Sequence, residues 1–259
     1  MSRVSACSFI VETDDLWQRR IERAHYYDAP RVERDGGKPR FVCPGDPSVN
    51  VPLGDIPWID DPACSGNPFV RVPQLEKEGI TAEILFPTFS WALLSLPEPL
   101  RSASLTAYNS WVWNIFTTAP KRLFAAAILP PANAAGELQR MAPMGIKAAI
   151  VPVESIGSGL DALWAAAASA NIPLVMAQIG GATPFADFAR FAKESAELTR
   201  QAAKAQSALR FLTFGAAEGR SPDNVAYVGE QGLWGRLATP AKGAASDDGK
   251  VASFFNLPA

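Results

Sequence analysis

The sequence predicts an α/β fold: a TIM-like (β/α) barrel, distorted and incomplete, with about six recognisable strands. Three observations predict it. Short apolar strands alternate with helical stretches along most of the 259 residues. Strands such as KAAIVPV and PLVMAQI are apolar on consecutive residues, the pattern of parallel strands buried on both faces. No strand is followed by GxGxxG or GxxxxGK[ST], so a nucleotide-binding doubly wound sheet has no specific support.

The elements follow in order. Val4–Val11 (VSACSFIV) is the first strand, running into Asp14-Asp15-Leu16-Trp17. Residues 29–73 are rich in Pro, Gly and Asp, with turn signals DGG, PGD and PLGD, and read as an irregular insertion over the barrel mouth or a dimerisation arm. Further strands are expected at Thr81–Thr88, Arg122–Pro130, Ile146–Val153, Pro173–Gly180 and Val225–Gly229. Helices are expected at Ser102–Thr118, Ala132–Met144, Leu160–Asn171 and Pro184–Phe214. Pro143-Met144-Gly145 and Asn171-Ile172-Pro173 supply the helix-to-strand turns. The barrel domain thus spans 1–238, and the polar stretch 239–259 (with AKGAASDDGK) reads as a flexible tail. A closed barrel needs eight strands, so two are hidden in irregular sequence or another molecule covers that flank.

Composition narrows the function classes. With 48% hydrophobic and 19% charged residues the chain has the make-up of a globular enzyme-sized protein. A net charge of −2 and no dense Lys/Arg cluster argue against nucleic acid and anionic membrane as partners. No apolar run reaches the ~18–20 residues of a membrane span, and MSRVSACSF lacks a signal core, so a cytoplasmic location is expected. Three cysteines without a CxxC pair give neither a disulfide framework nor a zinc site. The chain has one histidine, His25, too few for the usual hydrolytic metal centre.

Several segments together resemble one family. They are VSACSFIVETDDLWQRRI, APRVERDG, EKEGITAEILFPT, AYNSWVWNIFTTAPKRLFAAAILP, GIKAAIVP, LDALWAAAASANIPLVMAQIG and FGAAEGRSPDNVAYVGEQGLWGRL, covering roughly residues 4–237. The chain is similar to the amidohydrolase-related family, which includes aminocarboxymuconate-semialdehyde decarboxylase and related aromatic-acid decarboxylases. The resemblance implies a distorted barrel with one divalent metal, held first by an Asp-x-His or His-x-His pair on the first strand. Cys7 and Phe9 stand at those positions. Gln178 stands where a fifth-strand His is implied, Glu230 in VGEQG matches the sixth-strand acid, and an eighth-strand Asp is not reached. The implied ligand set is lost as a group, so neither metal nor other cofactor is expected.

Glu12, Glu154, Gln178 and Glu230 fall near C-terminal strand ends, which line the mouth of such a barrel. Glu12, Gln178 and Glu230 are therefore the catalytic candidates, and Phe9, Cys7 and Glu154 the substrate-binding ones. Two carboxylates in a partly desolvated mouth can do acid–base work without a metal. Each also has a plainer role: Phe9 as core wall, Cys7 as a small buried hydrophobe, Glu12 and Glu154 as solvated loop acids, Glu230 as an arginine's partner. His25 lies in a charged segment away from the mouth, and Lys147 sits at a strand start.

Three functional readings remain open. One is an accessory or non-catalytic subunit that pairs with an intact amidohydrolase-like homologue, or with itself. A second is a metal-independent lyase, isomerase or cyclase acting on a small carboxylated or aromatic molecule. A third is a hydrolase or decarboxylase with unusual metal ligands.

Overall fold

The computed structural model describes residues 3–36, 38–54, 56, 58–181, 183, 187–214, 223–228 and 253–257. Its frame is one all-parallel sheet of seven strands, curled into a half-barrel. Strand β1 (Arg3–Ile10) leads into α1 (Leu16–Arg20). A small antiparallel sheet follows, made of β2 (Arg31–Asp35), β3 (Lys38–Val42) and β4 (Val51–Pro52). Helix α2 (Pro68–Glu78) returns the chain to β5 (Ile80–Pro87). From there the βα rhythm is regular. It runs α3 (Leu100–Phe116), β6 (Leu123–Ile128), α4 (Ala134–Met141), β7 (Ala148–Val153), α5 (Asp161–Ala170), β8 (Leu174–Gln178), α6 (Phe188–Ala205), β9 (Phe211–Phe214) and β10 (Val225–Val228). The large sheet is ordered β1-β5-β6-β7-β8-β9-β10, so β1 and β10 are its edges among the described residues.

All six expected strands are present. Every residue of β6 and β7 is buried, as the continuous apolar runs require of strands covered on both faces. The seventh, β9, lies inside what reads as one long helix from Pro184 to Phe214. Helix α6 stops at Ala205, and the bulky run Phe211-Leu212-Thr213-Phe214 prefers the pleated sheet. Asn224, at the start of β10, fixes this break: its amide donates to the main-chain oxygens of Ala203, Gln206 and Leu209. That satisfies carbonyls a helix end leaves without partners.

The insertion is more ordered than its composition implies. The pairing of Asp35 with Lys38 makes a two-residue hairpin, and Gly36 adopts the positive φ (55°) such a turn needs. Val32 and Phe41 bury the inner face of that small sheet. The segment then seals onto β1. Val11 donates to the Cys64 oxygen at 2.7 Å, and Gly66 lies so close that a Cβ there would stand 2.6 Å from the Val11 oxygen. Beyond it, Asn67 caps α2 by accepting from the Phe69 N–H.

A fully buried ion pair joins α2 to the sheet. The Arg71 guanidinium donates to the Glu83 carboxylate of β5, with both side chains at 0% exposure. Asn109 of α3 plays a neutral version of this role. It accepts from the Ile128 N–H at 2.8 Å and donates to the Ile128 oxygen at 2.8 Å and to Glu137 at 2.7 Å.

The stretch expected as a flexible tail over 239–259 includes a packed piece, Ser253–Leu257. Its Phe255 is 2% exposed and belongs to the main core. The remainder of that stretch lies outside the described residues.

Candidate functional site

Parallel half-barrels gather chemistry at the C-terminal ends of their strands, so those ends define the region to inspect. At the end of β1, Glu12 turns inward and is 1% exposed. Its Oε2 accepts from the N–H groups of Thr88 (3.1 Å) and Phe89 (2.8 Å), and its Oε1 from that of Ser90 (2.8 Å). These donors open the short 3-10 turn Phe89–Ser95 that follows β5. The carboxylate therefore bolts the end of β1 to the end of β5. Burial raises its pKa above the usual 4.5, and the main-chain donors oppose that rise. The nearby Tyr108 phenol is pushed well up by burial and then by the Glu12 charge.

Phe9, one position before Ile10 at the end of β1, stacks on Trp58 of the insertion. Their centroids are 4.5 Å apart and their planes 13° from parallel. The Trp58 indole N–H donates to Thr88 Oγ1 at 3.0 Å, so Thr88 is held through its side chain by Trp58 and through its main chain by Glu12. A second aromatic group ties the ends of β5 and β9. Phe86 meets Phe214 edge-on at 5.6 Å, and Trp91 meets Phe191 of α6 at 5.1 Å and Phe214 at 6.3 Å. Both groups are buried, so among the described residues these strand ends are packed with rings around the bonded Glu12 and Thr88.

Polar groups converge further along the sheet. A cleft of about 620 Å³ opens between the ends of β7 and β8 and one face of α6. Glu154, Ser155 and Gln178 line one wall, and Arg190, Lys193 and Glu194 part of the other. The Gln178 amide donates to the Glu154 main-chain oxygen at 3.2 Å. Arg190 pairs with Glu194 at 2.8 Å along the helix. The Glu154 side chain is exposed to water, so the cleft offers no desolvated acid at that position.

The candidate residues therefore separate. Glu154 and Gln178 meet at the cleft. Phe9 and Glu12 form the packed interior at the end of β1. The Cys7 side chain and Glu230 lie outside the described residues. His25 pairs with Glu22 on its own short turn at 3.5 Å, and Lys147 sits at the opposite end of the sheet. Sequence reasoning missed Trp58, Thr88, Arg190 and Lys193. Trp58 had one signal, a lone tryptophan within a Pro/Asp-rich loop.

The described positions that the resemblance matches to metal ligands, Phe9 and Gln178, do not fit a divalent metal. Phe9 has no donor atom and is stacked on Trp58, and Gln178 offers a neutral amide already bonded to main chain. Among the described residues no group of three or more His, Cys, Asp or Glu side chains is placed to hold a metal ion.

By architecture this is an α/β half-barrel of the TIM-like class, distorted and carrying a small antiparallel insertion. No protein-family model matches the chain, and no curated protein matches it in sequence. Solved structures do match, among them amidohydrolases and aromatic-acid decarboxylases. An amidohydrolase from Mycobacterium avium subsp. paratuberculosis K-10 aligns over 98% of this chain and 86% of its own length, with a TM-score of 0.66 and 15% identity. 2,6-Dihydroxybenzoate decarboxylase from Rhizobium aligns over 99% of this chain and 92% of its own, with a TM-score of 0.51 and 15% identity. 5-Carboxyvanillate decarboxylase from Sphingomonas paucimobilis aligns over 87% and 80%, with a TM-score of 0.55 and 11% identity. At such identities the likeness is one of fold. No helix among the described residues is long and apolar enough to cross a membrane.

Proposed function

We propose that this chain is an accessory, non-catalytic subunit with an amidohydrolase-like fold, which pairs with an intact homologue. The observation that carries the reading is the Phe9–Trp58 stack at the end of β1, where the resemblance implies the first metal-ligand pair. Glu12 supports it: both carboxylate oxygens are committed to main-chain donors, the arrangement of a structural bolt. The open sheet adds a reason to pair, since β1 and β10 are edge strands among the described residues.

Co-expression with an amidohydrolase-fold protein from the same genome, followed by size-exclusion chromatography with light scattering, tests this. A stable one-to-one complex is the expected outcome. A monodisperse monomer that ignores every such protein overturns it.

The cleft favours a second reading, a metal-independent enzyme for a small carboxylated or aromatic molecule, because it brings Glu154 and Gln178 together beside Lys193. Turnover that survives a chelator and disappears in Glu154→Gln would establish that reading over the first.

A further inference from the structure

The segment Ser253–Leu257 touches the end of the sheet opposite the strand ends described above. It arrives as a single helical turn, with the Asn256 N–H donating to the Ser253 oxygen at 3.2 Å. Three residues at strand entries receive it. Lys147, just before β7, donates to the Asn256 oxygen at 2.9 Å. Arg210, just before β9, donates to the Phe254 oxygen, and its guanidinium lies over the Phe254 ring at 5.5 Å. Asn171, between α5 and β8, accepts from Arg210 at its main-chain and side-chain oxygens and accepts the Asn256 amide at 3.0 Å.

The chemistry is that of a helix end. The last carbonyls of a helix lack partners and carry partial negative charge, so cations beside them are favoured. Lys147 and Arg210 contact amide oxygens and aromatic rings: Phe254 for Arg210, and Phe124 at 5.8 Å for Lys147. The polar half of the seat therefore reads main chain. Phe255 supplies the side-chain anchor, inserted into the core at 2% exposure.

We propose that Ser253–Leu257 is a detachable clip, seated on Lys147, Asn171 and Arg210, that ties the entry ends of β7, β8 and β9 together. Its seat recognises a helix-end peptide with an aromatic anchor at the Phe255 position. Such a tie suits a half-barrel whose sheet, among the described residues, ends at β1 on one side and β10 on the other.

Hydrogen exchange on the full chain and on Phe255→Ala tests the clip. Loss of the anchor is expected to speed exchange about tenfold at the amides of Ala149, Leu174 and Phe211, which hydrogen-bond across the strand entries. The amides of Thr88, Phe89 and Ser90, held by Glu12, are expected to keep their protection. A peptide of residues 250–259 (KVASFFNLPA), added in excess to Phe255→Ala, is expected to restore protection at the first group. Equal acceleration in both groups makes Phe255 an ordinary core residue and overturns the proposal. No response to the peptide overturns detachability. Should Phe255→Ala not fold, Lys147→Met removes one carbonyl contact and keeps the stem over Phe124. It is expected to affect the same three amides by a smaller factor, and unchanged exchange there would count against the clip.

Discussion

Phe9 and Trp58 lie face to face, 4.5 Å apart, across 49 positions of sequence. One ring comes from the first strand of the half-barrel and the other from the insertion, so the contact fixes the insertion against the end of β1. Removing the indole leaves a cavity beside Phe9 and strips Thr88 Oγ1 of its donor. Trp58→Ala is expected to cost about 3–5 kcal/mol. Trp58→Phe keeps a ring to stack and loses chiefly the hydrogen bond, at about 1–2 kcal/mol. Denaturant unfolding followed by circular dichroism checks both values and their order.

Glu12 predicts a pH dependence with a definite sign. Its pKa in the folded protein is raised above 4.5, chiefly by burial. Between 4.5 and the folded value the native state binds more protons than the unfolded chain, so stability falls as pH rises through that window. Glu12→Gln removes this slope, so the stability difference between the two proteins changes with pH inside the window and is flat above it. Glu12→Gln also turns an amide donor toward main-chain N–H groups, at a cost of about 2–4 kcal/mol near neutral pH. Unfolding free energies measured at several pH values test both statements, and a gap that stays constant across the acid range would refute the sign.

The Arg71–Glu83 pair predicts a non-additive result. Both side chains are at 0% exposure, so removing one partner leaves the other's charge buried. Glu83→Leu is expected to cost about 3–5 kcal/mol, whereas Arg71→Met with Glu83→Leu together recovers most of that loss. A double-mutant cycle by chemical denaturation gives the coupling directly. Additive costs would mean that the charges are not coupled.

How much of this was legible in the sequence depends on the range of the interaction. Strands β5 to β8 were visible because burial on both faces leaves a local trace, the continuous apolar run. Strand β9 was not, because Phe211-Leu212-Thr213-Phe214 follows a helix through a turn without Gly or Pro. What ends that helix is Asn224, well downstream. The small sheet β2–β4 hid for a different reason: its strands are short and charged, and only Val32 and Phe41 mark the inner face. At the candidate site, strand-end counting set Glu12, Glu154, Gln178 and Glu230 around one mouth, and of these the structure brings Glu154 and Gln178 together. It could not tell a carboxylate open to water from one fully bonded to main chain, because Glu12's donors lie 76 to 78 positions away.

The cleft residues are expected to be free of the stability burden that Glu12 carries. Glu154 is exposed, and the Gln178 side chain donates to a main-chain oxygen at 3.2 Å. Glu154→Gln should therefore stay within about 0.5 kcal/mol of the parent, and Gln178→Ala within about 1 kcal/mol. Glu12→Gln, also beyond a strand's C-terminal end but buried and held by three main-chain donors, should lose several times more. Thermal and denaturant unfolding of the three variants in parallel makes the comparison. A large loss at Glu154 or Gln178 would assign them to the scaffold and remove the cleft as a candidate for binding. Near-parent stability would leave their side chains available to a ligand, so any change in ligand affinity in these two variants could be read as binding and not as unfolding.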